Sequence, residues 1–261
     1  MMPTGHERVG IVHVHSNYSH DGKDPLEQLR DLSLERGIAF VGLTDHAEDL
    51  TPERFAEYVD VCRSLSDEML RLIPGLEFRF AGYTGLHLLA LGLKRWIEPK
   101  TPDEFIEQTR GVTALTVVAH PVLARYRIPE AVLNGIDAIE VWNASYNTRY
   151  LPDPRAIRLL HELRRRRPTV VGTAGLDQHD ARNDRETRVV VADVSEPLAE
   201  LKAGRFENRG RTMHFDASAS MTPLQLRALA AARWAFDRVE RAQDRMARML
   251  AARRAGRLVA G

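Results

Sequence analysis

A single cysteine, Cys62, in 261 residues excludes an intrachain disulfide framework and a Cys-based zinc ribbon, and it fits a reducing compartment. Long apolar runs are missing too. The longest, around Val112–Ala124, is interrupted by Thr and His and is too short to span a bilayer. The first ten residues, MMPTGHERVG, carry no apolar core, so no signal peptide is expected and a cytoplasmic setting follows. There is no Gly-rich phosphate loop ending in Gly-Lys-Ser/Thr, no Gly-x-Gly-x-x-Gly and no Gly-x-Ser-x-Gly. Those absences remove the P-loop, dinucleotide-binding and serine-hydrolase readings. Net charge is nearly nil, with 37 Lys+Arg against 36 Asp+Glu. At 44% hydrophobic and 28% charged residues the composition is that of a soluble globular protein of one large or two small domains.

What charge there is lies unevenly. From Met221 onward there are nine Arg, no Lys and three acids, a net of +6, which leaves −5 on residues 1–220. Apolar β-type runs recur at Val9–Val14, Ala39–Leu43, Arg71–Ile73 leading into Pro74–Phe78, His87–Leu91, Thr116–Ala119, Ala138–Val141 and Thr169–Thr173. Continuous rather than alternating hydrophobicity predicts strands buried on both faces of a parallel sheet. Helices are expected between them from Asp24-Pro25 to Arg36, Thr51-Pro52 to Leu70, Thr101-Pro102 to Arg110 and Asp153-Pro154 to Arg166. Each opens on a Thr or Asp followed by Pro, a helix-start signal. The fold class expected is α/β, a closed barrel of parallel strands over residues 1–215. Residues 216–261 form a separate extension. There Leu229, Ala232, Phe236, Val239, Gln243, Met246 and Leu250 make one apolar stripe on a long basic helix.

The chemistry concentrates at strand ends. His13 and His15 are two apart on the first strand, so both rings project to one side. Asp21 follows in a turn-rich loop, Asp45-His46 closes the second strand, and Glu77 follows Pro74-Gly75-Leu76. His87 opens a run, His120 ends one, and Asp177 and His179 follow another. In a barrel of parallel strands the C-terminal ends share one rim, where such proteins place their chemistry. Nine donors therefore gather: His13, His15, Asp21, His46, Glu77, His87, His120, Asp177 and His179. Imidazole and carboxylate without thiolate suit Zn²⁺, Mn²⁺ or Fe. Nine donors exceed one ion and suffice for two or three, with a carboxylate bridging a pair.

In order along the chain, His13-Val-His15, Ser19-His-Asp21-Gly22, Thr44-Asp45-His46, Gly75-Leu-Glu77, Ala119-His120-Pro121 and Asp177-Gln-His179 resemble the motifs of the PHP (polymerase and histidinol phosphatase) superfamily. The resemblance implies a distorted (β/α)7 barrel and metal-dependent phosphoester hydrolysis. By position it implies one metal held by His13, His15, Glu77 and Asp177. Glu77 then bridges to a second held with His87 and His120, and a third takes Asp21, His46 and His179. Asp21 stands where some members have His. Only 32 residues separate His87 from His120, so the large insertion of the nucleoside-bisphosphatase and exonuclease branch is absent.

The reaction expected is in-line attack of a metal-activated hydroxide on phosphorus, with Asp45 or His179 handling protons. Arg125 and Arg149, with Asn143 after the sixth strand, are the expected grips on substrate phosphate. A small phosphomonoester is the expected substrate. A nuclease guided by the basic tail, and a non-catalytic metal-binding module, are the alternatives. The tail helix is expected to dock on the body or on a second copy of the chain.

Overall fold

The computed structural model describes residues 7–146 and 150–258, in two compact units, Met1–Ser220 and Met221–Gly261. The first unit opens with β1 (Arg8–Val14), α1 (Leu26–Glu35), β2 (Ile38–Leu43), β3 (Asp45–His46), α2 (Pro52–Leu65), β4 (Arg71–Ile73) and β5 (Gly75–Arg79). It continues with β6 (His87–Leu91), α3 (Pro102–Thr109), β7 (Leu115–Ala119), α4 (Glu130–Gly135), β8 (Ala138–Asn143), α5 (Pro154–Arg164) and β9 (Val171–Gly175). Then come β10 (Arg188–Val191), α6 (Pro197–Lys202), β11 (Phe206–Arg209) and β12 (His214–Asp216). The described part of the second unit is one helix, α7 (Pro223–Leu258). Among the described residues no helix is long and apolar enough to cross a membrane.

Two six-stranded sheets result, ordered β12-β11-β10-β1-β2-β4 and β3-β5-β6-β7-β8-β9. Every residue of β2, β7, β8 and β9 is buried, the pattern their continuous apolar runs predict. The all-parallel expectation needs correction. β6 runs antiparallel to both β5 and β7, and β10, β11 and β12 extend β1 in antiparallel order. No helix separates β5 from β6, and a short loop can return the chain only antiparallel. The expected strand through Arg71–Phe78 is two strands parted by Pro74. β4 pairs with β2, whereas β5 pairs with β3 in the other sheet. Gly75 makes that crossing fit, because a Cβ there would lie 2.6 Å from the carbonyl oxygens of both Leu43 and Ala90.

Helix starts follow local chemistry. Thr51 caps α2 by accepting from the Arg54 N–H at 3.3 Å, and Thr101 caps α3 by accepting from Glu104 at 3.2 Å. Asp153 caps α5 through the N–H groups of Arg155 and Ala156. Asp24 does not cap α1. Its carboxylate is drawn to the Ala181 N–H at 2.6 Å and to Gln28 Nε2 at 2.7 Å. α2 stops five residues before the predicted Leu70, because Asp67 Oδ1 accepts from the N–H groups of Met69 and Leu70 and turns the chain.

Two devices join the sheets. The segment after β9 runs beside β1, with Leu176 N–H donating to Val12 O (3.0 Å) and His15 N–H to Gln178 O (2.9 Å). Asn208 on β11 then serves the free edge of β9, accepting from Ala174 N–H at 2.6 Å and donating to Gly172 O at 2.8 Å. Asn208→Ala leaves two buried backbone groups unpaired, each worth about 1–3 kcal/mol. A fall in urea midpoint with unchanged slope is the expected reading, and an unchanged midpoint would refute this role for Asn208.

Candidate metal centre

His13 and His15 converge from the end of β1, but not by simple alternation. The register with β2 shifts between Val12 and Val14, and His13 has φ of 64°. A bulge of this kind re-aims a side chain. The rings end 5.3 Å apart. His120 and Asp177 also have positive φ, 23° and 50°. Non-glycine residues held there cost about 1–3 kcal/mol each and cluster at functional sites.

The loop after β1 is folded by Asp45. Its Oδ1 accepts from Ser16 N–H and from Ser19 Oγ, both at 2.8 Å, and its Oδ2 accepts from Ser16 Oγ at 2.9 Å. Ser19 Oγ in turn accepts from the His46 N–H. That loop carries Asp21 to within 3.3 Å of both His46 Nε2 and His179 Nε2. The nine residues read from the sequence thereby fall into three groups, within each of which the ligand atoms lie within 4.8 Å of one another. They are His13, His15, Glu77 and Asp177; Glu77, His87 and His120; and His15, Asp21, His46 and His179. His15 joins the third group as well as the first, with its ring stacked 4.2 Å from that of His179. His87 reaches the rim from the start of its strand because β6 is reversed.

Glu77 is the hub. It is 1% exposed, and its oxygens lie 2.7 Å from His87 Nδ1, 3.2 Å from His46 Nδ1, 3.3 Å from His120 Nε2, 3.5 Å from His15 Nε2 and 3.8 Å from His13 Nε2. The Nε2 atoms of His13 and His15 are buried without a hydrogen-bond partner among the described residues. A buried polar atom left unpaired is costly. A divalent cation coordinated by these nitrogens and by the Glu77 and Asp177 carboxylates would remove that cost, so the residues present fit a metal.

The electrostatics agree. Burial pushes the Glu77 carboxyl up, but the imidazoles of His120, His13, His46 and His87 gathered around it outweigh that and hold the group well below the usual range. Asp177 is lowered likewise, burial being overcome by the charge on His13 and the nearby ring of His15. His13 is raised well above 6.5, because Glu140 and Asp177 outweigh its burial. Ligation needs a neutral imidazole, so proton and metal compete there. Apparent zinc affinity is therefore expected to climb with pH from 6.5 upward and to level off once His13 is neutral. Calorimetric titration in buffers of differing ionisation enthalpy checks this, and a pH-independent affinity without proton release would refute it.

Two expectations about other residues are revised. Asp45, expected to handle protons, spends both oxygens on Ser16 and Ser19 and belongs to none of the three groups. Asn143, expected to grip phosphate, is fully buried. Its Oδ1 accepts from the N–H groups of Ser145 and Tyr146, and its Nδ2 donates to Glu140. Arg149 lies outside the described residues. Arg125 is exposed in the turn after His120, with φ of 51°. Among the described residues, the guanidinium of Arg79 reaches the donors, with Nη2 2.8 Å from His46 Nε2 and Nε 3.4 Å from Glu48. Tyr146 places its ring 4.7 Å from that of His120. Glu140 was missed in the sequence, where the signal was a lone acid inside the apolar run Ala138–Val141.

A family model for the PHP domain matches residues 12–144, just over half of the chain. This chain belongs to the PHP family. The matched segment holds His13 through His120; Asp177 and His179 lie beyond it. Among solved structures, the PHP chain is similar to PsfC from Pseudomonas syringae at 16% identity and a TM-score of 0.50, covering 89% of this chain and 98% of that one. A protein described as a candidate metal-dependent phosphoesterase, from Bifidobacterium adolescentis, is 15% identical, with 66% and 87% covered and a TM-score of 0.49. An amidohydrolase from Chromobacterium violaceum, solved with bound sulfate and no metal, is 14% identical, with 65% and 87% covered and a TM-score of 0.46. At such identities the likeness to PsfC is one of fold. No curated protein matches the chain significantly.

Proposed function

We propose that this PHP-family protein is a metal-dependent phosphoesterase acting on a small phosphomonoester. The observation that carries the reading is Glu77, one buried carboxylate shared by two donor groups, in the first of which the Nε2 atoms of His13 and His15 have no hydrogen-bond partner among the described residues. His13, His15 and Asp177 would hold one ion with it, and His87 and His120 a second. Asp21, His46 and His179 would hold a third. The nitrogen and oxygen donors favour Zn²⁺, Mn²⁺ or Fe. Such ions, when bound, lower the pKa of water and neutralise charge on phosphoryl oxygens.

The chain's own residues supply the rest. Asp21 and His179 are the most open of the nine, at 38% and 30% exposed, so substrate meets their group first. Burial and the neighbouring His15 charge keep His179 below the ordinary imidazole range, which favours the neutral ring that ligation needs. Arg79 beside His46, and Arg125 in the turn after His120, would orient the phosphate, and Asp45 keeps the Ser16–Ser19 turn in shape. The two sheets, joined at β2–β3 and at β1–Gln178, support the distorted (β/α)7 barrel as the architecture around this rim.

One observation favours a nuclease as the second reading. On α7, Arg238 sits 4.7 Å over the Trp234 ring, and Arg241 and Arg245 continue at helical spacing, a basic aromatic face suited to nucleic acid. Val239 and Met246 on the same helix are 56% exposed and would suit a second copy of the chain. Phosphate release from Mn²⁺-loaded protein, across small monoesters and 5′-phosphorylated oligonucleotides, separates the readings. Monoester turnover insensitive to moderate salt supports the phosphatase. Oligonucleotide cleavage that weakens steeply with salt supports the nuclease, and no release from either substrate refutes both.

A further inference from the structure

Strand β8 delivers a carboxylate that belongs to none of the three donor groups. Glu140 is 1% exposed, and its two oxygens reach different parts of the centre. Oε1 lies 2.7 Å from Nδ1 of His13. Oε2 accepts from the backbone N–H of His120 at 2.7 Å and from Nδ2 of Asn143 at 2.9 Å. Glu140 thus holds the ring of a residue in one group and the main chain of a residue in the next. Both of these residues, His13 and His120, have positive φ. The neighbouring strand is cut back to admit it, since a Cβ on Gly175 would lie 1.8 Å from Oε1.

A carboxylate only accepts, so the His13 proton facing it must sit on Nδ1. That leaves the lone pair on Nε2, the buried atom without a hydrogen-bond partner, 3.3 Å from Asp177. The second hydrogen bond of an imidazole sets which nitrogen is free to ligate, and such outer partners also hold the ring in place. We propose that Glu140 is the positioning residue of the centre. It locks His13 in the form that offers Nε2, and it ties the His13 ring to the His120 backbone so that the two groups sharing Glu77 keep their spacing. The inference rests on reading those groups as metal sites.

Glu140→Gln tests it with little change of shape. Two donors converge on the Oε2 position, so the amide oxygen stays there and the amide NH₂ faces His13. The ring must then accept at Nδ1 and carry its proton on Nε2, where a metal would bind. Zinc binding by the full-length variant is expected to weaken about 10–100-fold, with one ion fewer retained per chain by mass spectrometry after dialysis. Nitrogen-15 spectra supply a readout independent of activity: zinc-loaded wild type should show a His13 Nδ1–H resonance that the variant lacks. Zinc content and affinity unchanged in Glu140→Gln would overturn the role given to Glu140. If the variant fails to fold, the zinc-loaded wild-type spectrum still decides, because a neutral His13 ring protonated at Nε2 rather than Nδ1 overturns the proposal. Failure of the wild type to take up zinc would instead overturn the metal reading beneath it.

Discussion

Glu77→Gln is expected to abolish turnover, a loss of at least ~10³-fold, beyond the ~10²–10³ typical of removing one donor to a developing oxyanion. The reason is geometric. Five imidazoles point nitrogens at this one carboxylate within 3.8 Å, and the group belongs to two of the three donor sets. An amide keeps the volume but removes the charge and turns one acceptor into a donor facing ring nitrogens. Two ions should therefore be lost together. Steady-state kinetics paired with metal analysis checks this, with circular dichroism to show that the fold persists. Full metal content and near-normal turnover in Glu77→Gln would dispose of the bridging role.

Trp142→Ala carries the largest expected effect on stability. The ring is fully buried, stacks on Phe215 at 6.0 Å, and packs so closely against Gly210 that a Cβ there would lie 2.1 Å from it. It sits on β8 of one sheet and meets the β11–β12 hairpin of the other, so its removal opens a cavity at their junction. Truncating a buried Trp costs about 3–5 kcal/mol. In a body of this size each kcal/mol is worth roughly 2–4 °C, so Tm should fall on the order of 10 °C. Zinc uptake well below that temperature should survive, since the ring faces the hairpin and not the donors. A Tm within a degree or two of wild type would mean that the junction is not packed as described.

Trp142 shares its strand with Glu140, and the two side chains turn to opposite sides of it. The register of β8 with β9 shifts between Glu140 and Trp142, so residues two apart do not share a face as simple alternation would have them. Glu140 turns to the donors and Trp142 to the hairpin. The sequence shows Glu140 inside an apolar run and Trp142 directly after it, and contains nothing that signals the bulge. The same limit explains His13, whose expected placement by alternation is reached instead through a bulge.

The donor residues were legible because most sit at or beside the end of an apolar run, and the run, the turn chemistry and the residue type are all local. The helix starts at Thr51, Thr101 and Asp153 were legible for the same reason, since a cap acts on backbone a few residues away. The short strands β10, β11 and β12 were not, because runs of three or four residues carry little periodicity. Asp45 and Asn143 looked like reaction groups because polar residues at strand ends often are; their hydrogen bonds to Ser16, Ser19 and Glu140 depend on how loops fold back.

By itself, then, the sequence determined the α/β class, the nine nitrogen and oxygen donors, the absence of thiolate ligands and the basic character of the terminal helix. Only the tertiary structure decided that β6 runs backward, that Glu77 is the shared carboxylate and that Glu140 stands behind His13. Glu140 and His13 are 127 residues apart in the chain. Propensity and periodicity act over a few residues, whereas a hydrogen bond between distant strands exists only once burial has brought them together.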